Sequence, residues 1–188
     1  VYFGHLARWD IQKNHQFLIK SFGKIKSKNF KIIMAGKNIN KDNSMLIKKI
    51  IKSKLFNKII LLDNIENINL FFKKIDINVL PSLSESFPLS LCEAMLNKVP
   101  SIVSDVGDNR NIVGNTGWIF DQKINKDFIN KINSSLLEIK NNSLGELKGK
   151  RKVTEIRNQL KSEIADLSKQ KKKLRHGFIR GIITLVLN

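Results

Sequence analysis

The sequence lacks most of what would staple a chain together or carry it into a membrane. It has one cysteine in 188 residues, Cys92, which excludes an internal disulfide framework and a thiolate metal cluster. That usage fits a reducing compartment, so a cytoplasmic location is expected. No apolar run reaches the ~18 residues that a membrane-spanning helix needs, and no secretory leader is recognisable. There is a single tyrosine, and phenylalanine follows the apolar periodicity instead of interleaving with the basic runs. The stacking platforms of nucleic-acid binders are therefore missing, and nucleic acid is not expected as a partner. Acidic residues are also scarce: 16 Asp and Glu stand against 34 Lys and Arg, for a formal net charge of +18.

The positive charge is unevenly spread. Residues 1–140 hold 22 basic and 12 acidic side chains, net +10, and residues 141–188 hold 12 and 4, net +8 in a much shorter stretch. Such a surface attracts anionic lipid, nucleic acid or phosphorylated ligands. The plainer reading is compositional, because Lys, Asn and Ile are abundant throughout, as an A/T-rich coding sequence would produce. The chain opens directly on an apolar run, VYFG, without an initiator methionine. That start is expected of a domain cut from something longer.

What is present is a regular alternation. Short apolar runs at residues 1–4, 31–35, 59–62, 77–80, 101–103 and 118–120 read as strands. Between and after them, helical spacing predicts helices over residues 15–25, from Asn43 or Ser44 to Lys54, and over 68–73, 88–96 and 127–139. The first of these helices is expected to bury Phe17, Leu18, Phe22 and Ile25, and the second Leu46, Ile47, Ile50 and Ile51. Strands that are continuous apolar runs belong to a parallel sheet covered on both faces. The fold expected is α/β, a doubly wound, Rossmann-like parallel sheet over residues 1–143. A basic amphipathic helix (144–175) and an apolar tail (176–188) follow it. The helix is expected to fold back on the domain, and the tail is too short to cross a bilayer.

In such a sheet, ligands bind beyond the carboxyl ends of the strands, beside helix N-termini. Three loops reach that edge. The first carries His5, Arg8 and Lys13, the second Ser82, Ser84, Glu85 and Ser86, and the third Asp105, Gly107 and Asp108. Cations beside a helix N-terminus suit a diphosphate. Ionised carboxylates only accept hydrogen bonds, so Glu85 and Glu93 suit the hydroxyl-rich parts of a ligand. A diphosphate flanked by two polyols is a nucleotide sugar. Cys92 is expected to be a packed structural thiol, and His5 and His15 to be structural or solvent-facing and not catalytic.

The segments VLPSLSESFPLSLCEAML, VPSIVSDVGDNRNIVGNTGWIF and FGHLARWDIQKNH closely resemble the C-terminal domain of the retaining glycosyltransferases of family 4, which have the GT-B fold. The likeness runs from Val1 to about Lys140. It implies that Arg8 and Lys13 bind the donor diphosphate without a metal. It also implies that Glu85 and the turn of Ser86, Phe87, Pro88 and Leu89 hold the sugar, and that Glu93 holds the ribose. The implied partners are a nucleotide-diphosphate sugar, a glycan or lipid-linked acceptor, and an N-terminal GT-B domain that this chain does not contain. A basic surface would then suit the inner face of a membrane. Two positions depart from the family pattern. Ser86 stands where a glycine is usual, so strain is expected there, and Asn111 stands where an acid is usual. The alternatives are a basic module for anionic membrane or nucleic acid, and a truncated remnant without activity.

Overall fold

A computed structural model describes residues 1–140. The helix expected at 144–175 and the tail at 176–188 lie outside the described residues.

Six strands form one parallel sheet: β1 (Tyr2–Leu6), β2 (Lys31–Ala35), β3 (Ile59–Leu62), β4 (Ile77–Leu80), β5 (Ser101–Ser104) and β6 (Trp118–Phe120). Their spatial order is β3-β2-β1-β4-β5-β6, every neighbouring pair being parallel. This is the doubly wound order, in which the chain starts at the centre, winds to one edge and returns to wind to the other. The helices are α1 (His15–Phe22), α2 (Ser44–Lys52), α3 (Ile68–Lys73), α4 (Leu89–Leu96), α5 (Asn109–Val113) and α6 (Asn125–Lys140). Helix α1 packs against α2 and α6, while α4 packs against α3 and α5. Each sheet face thus has its own helical layer.

The alternation of side chains along β2 shows why its strand is apolar throughout. Ile32 and Met34 enter the larger core with Leu18, Phe22 and Phe128, whereas Ile33 and Ala35 enter the smaller core with Phe71, Phe72 and Ala94. A strand with two buried faces needs no polar face. The larger core is aromatic: Phe22 lies edge-on to Phe3 at 5.0 Å, and Phe120 meets Phe128 at 4.6 Å.

Local chemistry sets the ends of the helices. Asn43 and Asn67 cap α2 and α3 by accepting from the amides of Leu46 and Leu70. Helices α2 and α4 close with a left-handed residue, Lys54 at φ 57° and Lys98 at φ 62°. The amides of Lys54 and Leu55 turn back to Ile51 and Ile50, and those of Lys98 and Val99 to Met95 and Ala94. This is the Schellman arrangement, with lysine where glycine is usual.

Several expectations need correction. The first strand extends to Leu6, so His5 and Leu6 belong to it and not to the following loop. Helix α1 stops at Phe22, because the chain turns at Gly23, and Ile25 is buried outside it. Ile51 is 58% exposed and lies off the buried stripe of α2. Pro88 is the N-cap of α4, not a first-turn residue. The polar run after β5 contains a short helix, α5, that its sequence does not advertise.

Candidate active site

The winding reverses between β1 and β4, so the loops leaving these two strands diverge and leave a crevice at their carboxyl ends. The β1–β4 pairing is short, with only Phe3 opposite Ile77 and Gly4 opposite Asn78. Beyond it a side chain continues the junction: His5 Nδ1 lies 2.8 Å from the Val79 carbonyl. A carbonyl only accepts, so His5 carries its proton on Nδ1. The ring is fully buried, in edge contact with His15, which in turn touches Trp9.

Lys13 ends a 3₁₀ turn, Ile11–Lys13, capped by the Asp10 carboxylate accepting from the amide of Gln12. This turn is tied to the loop after β4 by a backbone bond from the Leu83 amide to the Gln12 carbonyl, 2.7 Å. Across that junction Lys13 Nζ donates to Glu85 Oε1 at 2.7 Å, and Ser82 Oγ donates to the same oxygen at 2.6 Å. The Glu85 side chain is 7% exposed and that of Lys13 26%. Ser82 is in turn held by Ser104 at the end of β5, whose hydroxyl donates to the Ser82 carbonyl at 2.7 Å. Two donors on one carboxylate oxygen, both anchored to strand ends, give Glu85 a fixed direction.

The structure therefore brings Lys13 and Glu85 together. Arg8 is placed differently. Its guanidinium is 69% exposed and pairs with Asp10 at 3.2 Å, with no contact to Glu85. Ser86 is exposed, Phe87 half-buried, Pro88 buried and Leu89 exposed. The strain expected at Ser86 is absent: Asn14, Asn38, Lys54 and Lys98 are the only non-glycine residues at positive φ among those described. Pro88 offers no side-chain cap to α4, so the amides of Leu89 and Ser90 at its start have no capping side chain.

Glu93 is the fifth residue of α4, about 6 Å along its axis from the first. It is partly buried, and its carboxylate makes no hydrogen bond or ion pair among the described residues. Burial raises its pKa above the ordinary carboxyl value. Next to it Cys92 is buried, and desolvation, with help from the Glu93 charge, pushes its thiol up to about 12. At that value the thiol stays protonated, a packed and unreactive group.

Gly107, in the loop after β5, touches this site from behind. Its φ is +51°, and a Cβ built on it would lie 1.8 Å from the Glu85 carbonyl oxygen. Asp105, in the same loop, pairs with Arg110 on both carboxylate oxygens. Gly107 lies in the loop expected to reach the sheet edge, but nothing in the sequence marks its role there, or that of Ser104. A glycine in a polar loop beside a site loop is the only signal that was on offer.

The two histidines make a testable contribution to stability. Burial lowers His15 to about 4, while the carbonyls of Ala7 and Asp10, near the ring but outside hydrogen-bond geometry, pull weakly the other way. His5 is also lowered, by burial first and then by His15. The folded state binds fewer protons than the unfolded state between pH 6.5 and 4, so stability is lost as pH falls through that window. From about pH 7 to about pH 4.5, His15 alone should remove about 2 kcal/mol. Urea unfolding at the two pH values checks this, and His15→Leu should flatten the dependence.

Among the described residues no cluster of three or more His, Cys, Asp or Glu is placed to hold a metal ion. None of the described helices is long and apolar enough to cross a membrane.

The single doubly wound α/β domain matches one Rossmann-like half of a GT-B fold. The chain belongs to the family described as glycosyl transferases group 1, whose family model matches residues 1–150. It is 31% identical over 107 residues to the EpsF protein of Bacillus subtilis (strain 168), whose name places it among glycosyltransferases. That match covers 54% of this chain and 27% of EpsF. Among solved structures, a glycosyltransferase from Rickettsia africae ESF-5 superposes with a TM-score of 0.68 at 22% identity, over 73% of this chain and 38% of that one. Anabaena HepE in complex with UDP-glucose superposes with a TM-score of 0.67 at 20% identity, over 74% and 40%. The chain thus spans about a quarter of the curated relative and about two-fifths of these solved chains.

Proposed function

We propose that this chain is the donor-binding half of a retaining glycosyltransferase that takes a sugar from a nucleotide-diphosphate sugar. The transfer is to a glycan or lipid-linked acceptor in surface polysaccharide or glycoconjugate synthesis. The observation that carries this reading is the Lys13–Glu85 pair, fixed at the switch point beside the uncapped start of α4. As the glycosidic bond to the donor breaks, negative charge develops on the departing diphosphate. Lys13 and the α4 amides are preorganised to stabilise it. Arg8, exposed and held only by Asp10, turns from that carboxylate to the phosphates when the donor arrives. The free Oε2 of Glu85 accepts from a sugar hydroxyl, with the backbone of Ser86, Phe87 and Leu89 lining the same turn.

Glu93 holds the ribose. Its carboxylate is partly desolvated, as its raised pKa reflects, and two ribose hydroxyls supply donors to it. Donor binding should therefore pull its raised pKa back down. HepE was solved with UDP-glucose, which makes UDP-glucose the first probe to try. Glu93→Ala is expected to weaken UDP-glucose binding well over tenfold, since each hydrogen bond to a charged acceptor contributes about 1.5 kcal/mol or more and about 1.4 kcal/mol is a tenfold change. Isothermal calorimetry measures this, and unchanged affinity would remove Glu93 from the site.

The acceptor would be bound by a second, N-terminal domain, as the chain's share of its relatives' length suggests. The isolated chain is then expected to bind donor without transferring sugar. The cytoplasm, at the inner face of a membrane, is the location that suits a lipid-linked acceptor.

A further inference from the structure

We infer that the cleft between α1 and α2 is a second anion site, which takes a small soluble ligand carrying two or three phosphate groups. A cavity of about 540 Å³ lies between these helices and is lined by Lys20, Lys24, Lys49, Lys52 and Lys54, with no carboxylate in its wall. Lys49 donates to the neutral Gln16 side chain at 2.6 Å, which leaves its charge in place. The other four lysines have no hydrogen-bond or ion-pair partner among the described residues.

The charge balance sets the class of ligand. Lysines near helix C-termini ordinarily answer the helix dipole, which amounts to about −0.5 charge at each end. The two helix ends here therefore offset about one of the five positive charges, and about four remain. A phosphate monoester carries about −1.5 to −2 charge at pH 7. One such group leaves the cleft cationic, and two or three balance it. Shape points the same way. The volume falls within the range of about 300–1,000 Å³ usual for small-ligand pockets. A concave wall closes on a compact anion from several sides, whereas an extended flat surface would meet only its rim. Each lysine brings three donors on a flexible stem, so the five can converge on phosphate oxygens without a preformed fork.

This is not the donor crevice. The crossover helices run antiparallel to the strands, so α1 and α2 end at the amino edge of the sheet, and the crevice lies at the carboxyl edge. Gly23 and Ser53, which close these two helices, both line the cavity. Lys13 lies beyond the other end of α1, about 12 Å along its axis at 1.5 Å per residue. The inference therefore stands independently of the sugar-transfer reading.

The test is isothermal calorimetry with inorganic tripolyphosphate at physiological ionic strength. It uses the full chain carrying Lys13→Ala, so that the donor crevice does not contribute. One anion per chain should bind. Adding Lys20→Gln and Lys52→Gln should weaken that binding about tenfold or more, because two charge-assisted contacts to phosphate are lost. Adding Lys73→Gln and Lys74→Gln instead, at the end of α3 in the opposite layer, removes the same charge and should cost less than about twofold. All four side chains are exposed, and unchanged melting temperatures will show that the variants fold. ATP in place of tripolyphosphate separates the two sources of such a ligand. Binding no tighter than that of tripolyphosphate assigns the site to the phosphate chain itself, and tighter binding assigns it to a phosphorylated organic molecule. Absence of binding to the Lys13→Ala chain would overturn the proposal, by leaving the cleft without a ligand of this class. Equal losses from the two lysine pairs would overturn it too, by reducing the effect to diffuse charge.

Discussion

Lys13→Ala is expected to weaken binding of a nucleotide-diphosphate sugar about a hundredfold and to lower stability by about 2 kcal/mol. Both effects follow from one ammonium group. A charge-assisted hydrogen bond to phosphate contributes about 1.5–3 kcal/mol, and 1.4 kcal/mol is a tenfold change in affinity. The stability loss comes from Glu85, whose side chain is 7% exposed and would keep only the Ser82 hydroxyl as donor. Breaking a fully buried pair costs about 3–5 kcal/mol, and the partial exposure of Lys13 reduces that. The two effects separate in a double-mutant cycle with Glu85→Gln. In that background Lys13→Ala should cost little stability, because no charge is left unpaired, yet binding should still fall. Calorimetry showing the binding loss cancelled as well would mean that Lys13 serves only to neutralise Glu85. Undiminished binding in the single variant would sink the donor-site reading.

Gly107→Ala should be nearly as damaging, although residue 107 needs no contact with ligand. The methyl group would have to occupy space 1.8 Å from the Glu85 carbonyl oxygen, on a backbone at φ +51°. The left-handed conformation alone costs an alanine about 1–2 kcal/mol. The close approach cannot be relieved by a side-chain rotation, because the atom it meets is backbone. One of the two loops must move, and the loop bearing Glu85 lies against it. The expected outcome is at least tenfold weaker donor binding, with a fall in melting temperature larger than that of Asp108→Ala next door. Unchanged binding in a destabilised Gly107→Ala protein would show that the loop after β5 yields instead and that Glu85 stays in place.

The strands were legible in the sequence for a simple reason. A parallel strand with two buried faces is a solid apolar run, and here aspartate, glycine or proline stands at most of the boundaries. Strands at 31–35, 59–62, 77–80 and 118–120 could be placed residue by residue. Failures fell where the signal is carried by something other than hydropathy. His5 and Leu6 continue β1 because the His5 ring completes the junction with β4, which a polar residue in a sequence does not announce. Helix α5 is five residues long, NRNIV, and has no apolar stripe. Ile51 was expected in the core because it fits the helical period, but it lies at the margin of the stripe and faces out.

The site was legible in kind more than in arrangement. Glu85, Glu93, Lys13 and the start of α4 could be gathered at one sheet edge from topology alone. That Lys13 would pair with Glu85, and Arg8 with Asp10, could not be read. The first pair joins residues 72 positions apart, with nothing local to link them. The second is a contact across two residues that competes with the ligand role expected of Arg8.

The sequence separation at the switch point bears on how fast the protein reaches its native state. The bonds that join the β1 end to the β4 end all close long segments: Tyr2 to Asp76 and His5 to Val79 span 74 residues, and Lys13 to Glu85 spans 72. Closing such segments is entropically expensive and goes unrewarded until both ends are ordered. The outer pairs, β1 with β2 and β4 with β5, are local by comparison and can assemble first as two separate halves. Their docking along the central seam is then the slow event. The crevice forms only with that docking, so in refolding the recovery of donor binding should not precede burial of the seam between β1 and β4.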